Sequence, residues 1–348
     1  IYCNTSVLVR NIIAMGSVFH INLRPILVLS KCIGLIDNSY TLEPTGFLVR
    51  KINSSFNGFL EIARMIVLLV FTYRYIHHLD PVIHIFQYIH IVKFWNVIVA
   101  ARVSTMWIIK FINSIIEFDQ KITQLSTNFS IPQHSLKKKD WYKIYISIIL
   151  CFVGIKIVHI YLYSLKVMYI DFLVLSLFDP PFVIDYVVTI TMCFFLQNLY
   201  VRFQSINDLW KCLPPDLVTV PGQWTNNEIV ILMENTRLMH THLCELLIKF
   251  TRGYGPLLLG FYTCSFISLI VGVYIFVNNG SLSNALSHEK YRIVFSFIIY
   301  VQNFVFLISV IVFVSTINEE RIKMMSCLRL YQISKLHQDI KCQVKFIY

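Results

Sequence analysis

Six stretches of this chain are apolar for long enough to cross a lipid bilayer, which takes about 20 predominantly apolar residues. They are Phe56–Ile76, Val82–Ile108, Ile144–Tyr163, Phe182–Tyr200, Pro256–Val277 and Tyr291–Val314. The second is interrupted by Lys93 and Arg102, and the last two are the cleanest. They predict an all-α fold, a polytopic membrane helix bundle occupying residues 56–314. Composition agrees: 56% of the 348 residues are hydrophobic and only 14% are charged, against about 25% charged in soluble domains. An earlier apolar region, Val7–Ile36, is broken by Arg10, His20, Asn22, Arg24 and Pro25. It lacks the unbroken centre and small-residue cleavage site of a secretory signal. Residues 1–55 are therefore expected to form a cytoplasmic or interfacial lead-in, re-entrant rather than spanning.

The net charge of +11 raises the question of nucleic acid, but the basic residues lie between the apolar runs, which is a pattern of membrane topology. Lys and Arg concentrate in alternate loops. The lead-in carries Arg10, Arg24, Lys31, Arg50 and Lys51; the loop after the second run carries Lys110, Lys121, Lys137, Lys138, Lys139 and Lys143. Arg202, Lys211, Arg237, Lys249 and Arg252 follow the fourth run, and Arg321, Lys323, Arg329, Lys335, Lys341 and Lys345 follow the sixth. These 22 face only 4 in the other loops, namely Arg74, Lys166, Lys290 and Arg292. The excess marks the cytoplasmic side, so both termini are expected there. No cysteine falls in an outer loop, so no extracellular disulfide is expected. The sequons at Asn4, Asn53 and Asn128 lie on the cytoplasmic side, and the one at Asn279 is outside but close to the membrane.

The cytoplasmic segments are patterned. Helices are expected at 109–143 and 224–252, with a further segment at 315–348. In the second of these, Asn226 is placed to cap a helix with Glu228 in its first turn. Ile229, Leu232, Met233, Met239, Leu243, Leu246, Leu247 and Phe250 then recur near three-and-four spacing, up to an interruption at Gly253 and Gly255. Ile322, Met325, Leu328, Leu336 and Ile340 repeat the theme near the end. Such stripes pack on their own bundle or against further copies of the chain.

Motifs of chemistry are lacking. The chain has no phosphate-binding loop, nucleophile elbow, HExxH or CxxC pair, so neither an enzyme nor a cofactor is expected. His77, His78, Asp80, His84 and His90 cluster without specific ligand spacing, and His240 and His242 face nearly opposite sides of a helix. Ionisable residues inside apolar runs say more, because each is costly in a bilayer and faces a cavity or a partner. Lys93 lies ~16 Å from the outer end of its run and Lys156 ~10 Å from its own, at 1.5 Å per residue. Asp185 enters the fourth run at a comparable depth. Either Lys156 pairs with Asp185, or these charges line a cup with His84, Gln87, Tyr88, His159, Tyr163, Tyr186, Tyr274, Gln302 and Asn303. A small polar or amphipathic ligand would find aromatic surface and hydrogen-bond partners there. Glu61 and Arg64, three apart, are expected to form a structural pair.

Four stretches resemble the insect gustatory receptor family: "FHINLRPILVLSKCIGLIDNSYTLEPTG" (Phe19–Gly46), "FINSIIEFDQKITQL" (Phe111–Leu125), "HLCELLIKFTRGYGPLLLGFYTCSFISLIVGVYIF" (His242–Phe276) and "VSTINEERIKM" (Val314–Met324). Members of that family have seven spans and a cytoplasmic N-terminus. Their motif of Thr-Tyr, five residues and Gln-Phe in the last span is not matched: the Thr72-Tyr73 pair has Leu79 where Gln should stand. With Ile1 at one end and Tyr348 at the other, the resemblance implies a fragment without the seventh, pore-lining span. It also implies a subunit of a ligand-gated, non-selective cation channel in the plasma membrane of a sensory neuron dendrite. That channel would be a homo- or hetero-tetramer joined by the cytoplasmic helices and the last span. Its ligand would be a small-molecule tastant, with membrane lipid as the other partner and no nucleic acid or metal. An odorant-receptor relative would share the topology. A secondary transporter would use Lys93, Lys156 and Asp185 as coupling charges, but no internal repeat supports one.

Overall fold

The structure is a computed structural model that describes residues 19, 21–50, 55–77, 84–128, 180–211, 225–279 and 287–330, with short helical pieces between 146 and 158. The fold is helical, with one hairpin near the start. In chain order the elements are α1 (residues 21–33), β1 (Tyr40–Leu42), β2 (Leu48–Arg50), α2 (Ser55–His77), α3 (His84–Asn128), α4 (Pro180–Lys211), α5 (Asn226–Asn279) and α6 (Ser287–Leu330). Three of these helices contain segments long and apolar enough to cross a membrane: Tyr88–Leu125, Val183–Asp208 and Asn227–Tyr274.

Among the described helices, α3, α5 and α6 are far longer than a bilayer is thick. Their 45, 54 and 44 residues extend ~68, ~81 and ~66 Å at 1.5 Å per residue, against a hydrocarbon core of about 30 Å. The expected break between the 224–252 helix and the fifth apolar run does not occur. α5 passes through Gly253, Gly255 and Pro256 without ending. The reason is packing. α3 lies so close that a Cβ on Gly253 would stand 3.0 Å from the backbone nitrogen of Ile108. The glycine that weakens the isolated helix is what lets α3 approach. Phe111 of α3, Phe195 of α4, and Phe250 and Tyr254 of α5 then interlock, with centroids 5.2–5.4 Å apart for Phe111–Phe195, Phe111–Phe250, Phe195–Tyr254 and Phe250–Tyr254.

The N-cap of α5 is Thr225, not Asn226 as the sequence suggests. Thr225 Oγ1 accepts from the Glu228 backbone N–H, and Glu228 Oε2 accepts from the Thr225 backbone N–H at 2.8 Å, a capping box.

The lead-in belongs to the core. Leu23, Ile26 and Leu27 of α1 are buried in it, and Phe19 stacks on Phe194 of α4. α1 ends at Gly34 (φ 97°), which the Leu35 and Gly34 N–H groups close in a Schellman motif onto the Ser30 and Lys31 carbonyls. Two arginines finish the job: Arg64 donates to the Lys31 and Ile36 carbonyls, and Arg102 Nε donates to Gly34 O at 2.8 Å. Glu61 pairs with Arg64, as its spacing predicts, and also with Arg102. The Arg102 that interrupts an apolar run in the sequence is thus a link between α1, α2 and α3. Burial pushes the Lys31 ammonium below its ordinary range, and its Nζ donates to the Tyr40 carbonyl.

The hairpin is an element the sequence reading did not anticipate. β1 and β2 pair antiparallel with Tyr40 opposite Arg50 and Leu42 opposite Leu48, around a turn with Gly46 at φ 92°. Asn113 of α3 binds both backbone groups of one residue, accepting from Leu48 N–H at 2.8 Å and donating to Leu48 O at 3.0 Å.

The outer surface has two zones. Exposed residues on α3 are apolar at Val92, Val99, Val103 (79% exposed) and Met106, then charged at Lys110, Glu117 and Lys121. On α5 the order reverses, from Glu228, Glu245 and Arg252 to Leu259, Phe266, Ile270 and Val277. Because Ile108 meets Gly253, both changes fall at the same height of the antiparallel pair. α6 follows suit, with Phe304, Val305, Ile308, Ile311 and Val312 exposed before Asn318, Glu319 and Arg321.

Candidate ligand-binding site

In the apolar zone the helices enclose one buried ion pair. Lys93 of α3 is 0% exposed, and its Nζ donates to Asp185 Oδ2 of α4 at 2.6 Å. Phe261 of α5 covers the ammonium, 5.1 Å from ring centroid to Nζ, so a third helix adds a cation–π contact. An isolated charge could not persist in such surroundings. The pair survives because each ion offsets the desolvation of the other. Beside it, Asn96 of α3 lies against Gly260, where a Cβ would stand 2.9 Å from the Asn96 amide nitrogen. Deeper in the bundle, Thr191 of α4 and Tyr262 and Ser265 of α5 carry buried hydroxyls that make no hydrogen bond among the described residues.

Of the twelve residues proposed from sequence, the structure brings Lys93 and Asp185 together. Asp185 pairs with Lys93; Lys156, which the sequence offers as one possible partner, lies outside the described residues. Tyr186 follows Asp185 and is half-buried. Tyr88, Tyr274 and Gln302 are exposed, Tyr274 at 66%. His84, Gln87 and Asn303 lie on α3 and α6, and their side chains are outside the described residues, as are Lys156, His159 and Tyr163. Of the histidine cluster, only His90 has a described side chain, half-buried on α3, and no metal-binding cluster occurs among the described residues.

Phe261 and the Asn96–Gly260 contact escaped the sequence reading. Neither carries a signal of its own: a phenylalanine in an apolar run and a glycine in a helix acquire meaning only when α5 is laid on α3. A second ion pair lies in the charged zone, where Arg202 of α4 donates to both oxygens of Asp119 of α3, with Nε at 2.9 Å. The Asn207 amide of α4 donates to Glu320 Oε2 of α6 at 2.7 Å and to its carbonyl at 3.0 Å. Each zone of the bundle is thus pinned by its own buried polar contacts. Neither of the two described cavities touches the Lys93–Asp185 pair; the larger, of about 370 Å³, lies between the hairpin, α3 and α5.

No family model matches the chain, and no curated protein matches it either.

Proposed function

We propose that the chain is a subunit of a ligand-gated, non-selective cation channel of the gustatory receptor type. In this reading it crosses the plasma membrane six times, through α2, α3, residues 144–163, α4, α5 and α6, with its N-terminus in the cytoplasm. The observation that carries the reading is the Lys93–Asp185 pair: a charge couple inside the apolar zone, held by the same helices that run on into the charged zone. A ligand with a polar head and an apolar body competes for Asp185 or Lys93 and separates α3 from α4. Since α3 and α5 are unbroken, a displacement near Phe261 reaches Arg252 and Glu228 without a hinge. The ligand acts by preferring one of two arrangements of the helices, which shifts their populations. Exposed Ile231, Leu238, Ile248 and Ile322 in the charged zone serve as contacts with other subunits.

The test is whole-cell recording from cells expressing the full-length transcript, exposed to sugars, amino acids, alkaloids and volatiles. The expected result is a reversible inward current carried by both sodium and potassium in response to at least one class. Surface-expressed protein that stays silent to the whole panel contradicts the reading, and a response to volatiles alone moves it to the odorant-receptor branch.

A further inference from the structure

We propose that the cavity between the β-hairpin, α3 and α5 is a binding site for the headgroup of an anionic phospholipid. Three cations line it, Arg50 from β2, Lys110 from α3 and Lys249 from α5. None of them pairs with a carboxylate among the described residues. The one carboxylate in the wall, Glu117, is engaged by Lys121 at 2.7 Å. Lys249 is already aimed by its hydrogen bond to Ser114 Oγ at 2.8 Å, which fixes an ammonium at the cavity wall. Glu117 also feels the charge of Lys249, but three cations against one carboxylate leave the wall of this cavity, of about 370 Å³, net positive.

Two further features select a lipid over a soluble anion. Beside the polar Tyr40, Asn113 and Ser114, the wall carries apolar side chains, Phe47 from the turn and Met106 and Ile109 from α3, surface that a free phosphate cannot use. The cavity also opens at the height where exposed side chains change from apolar to charged, between Met106 and Lys110. Trp107 stands at that height, with Lys110 Nζ 5.0 Å and Arg252 Cζ 4.9 Å from its ring. Tryptophan and basic side chains stacked together are suited to the level of lipid headgroups, and basic residues there attract the anionic lipids of the cytoplasmic leaflet. The phosphate sits among Arg50, Lys110 and Lys249, with the glycerol and upper chains against Met106 and Phe47.

The site rests on the reading that the apolar zone lies in a bilayer with the charged zone in the cytoplasm, but not on channel activity. Binding is read on the full chain purified in detergent, without currents, so a silent channel and a missing lipid site give separate results. The probes are dioctanoyl phosphatidylinositol 4-phosphate, dioctanoyl phosphatidylcholine, and glycerophosphoinositol 4-phosphate, the same headgroup without acyl chains. The inositol lipid is expected to bind at least tenfold more tightly than either of the others. R50Q, which breaks no described side-chain hydrogen bond or ion pair, and K110Q, which loses the cation–π contact with Trp107, are each expected to weaken it several-fold, and K110Q/K249Q at least tenfold. K323Q, a distant cation on α6, is expected to leave binding unchanged. Equal binding of phosphatidylcholine overturns the anionic site, and equal binding of the deacylated headgroup overturns its assignment to lipid. Affinity indifferent to K110Q and R50Q, or lowered as much by K323Q, places the binding elsewhere.

Discussion

Lys93 and Asp185 each need the other. Replacing either alone takes from a buried ion the counter-charge described here, and breaking a buried pair costs about 3–5 kcal/mol. K93M and D185L are therefore each expected to lower the unfolding temperature in detergent strongly. The double variant is expected to recover most of that loss, because an apolar pair of similar volume carries no desolvation penalty. A double variant no more stable than the singles contradicts the pairing. If the pair also receives ligand, the stable double variant still fails to respond to it, which separates binding from folding. Both residues were legible in the sequence as charges inside apolar runs. Their partnership was not, because depth along a run says nothing about which helices become neighbours. The sequence offers Lys156 as a partner for Asp185 and gives no sign of Lys93 in that role, because only the packing of α3 on α4 makes Lys93 and Asp185 neighbours.

At the scale of elements, the contact between α3 and α5 turns on two glycines that differ in what they face. A methyl at Gly253 meets the Ile108 backbone at 3.0 Å, and backbone inside a helix cannot move aside. A methyl at Gly260 meets the Asn96 side-chain amide at 2.9 Å, and that side chain is exposed and free to turn. G253A is expected to destabilise the protein by about 1–3 kcal/mol through overpacking. G260A is expected to be near neutral, since alanine favours the helix by about 1 kcal/mol and offsets the rearranged amide. Thermal unfolding of the two variants in the same detergent checks this, and equal effects would contradict the packing described. Here the sequence misleads for a physical reason. Local propensity reads Gly253, Gly255 and Pro256 as a break, whereas the tertiary approach of α3 turns Gly253 into a contact. Pro256, whose missing N–H and ring strain an isolated helix, is carried by the long packed segments on either side. The hairpin was hidden for the opposite reason. Its strands have three residues each, too few for alternation to stand out, and Asn113 supplies from α3 the hydrogen bonds that hold it.

At the scale of the whole molecule, the two-zone surface unites these observations. The described helices carry an apolar belt from Val92 to Met106 on α3, from Leu259 to Val277 on α5 and from Phe304 to Val314 on α6, with charge beyond it on the same helices. Water would leave so much apolar surface uncovered, and a bilayer covers it. The boundaries of α2, the start of α4, and the apolar parts of α3, α5 and α6 were legible from the length of the apolar runs alone. The continuation of α3, α4, α5 and α6 beyond those runs was not, since each joins a run read as membrane to a segment read as cytoplasm. In the proposed channel, this continuity would give a ligand bound near Lys93 a mechanical route to the charged zone.

The most direct test of the account is which side of the membrane the charged zone faces. Single cysteines placed at Ser287, where α6 begins, and at Glu319, beyond its apolar stretch, are to be labelled on intact cells with a membrane-impermeant maleimide. The unsubstituted chain provides the baseline. The account predicts labelling of S287C on intact cells and of E319C only after permeabilisation, which places the charged zone and the N-terminal α1 in the cytoplasm. Labelling of E319C on intact cells, with S287C protected, would reverse the orientation and remove the basis for a channel of the gustatory receptor type.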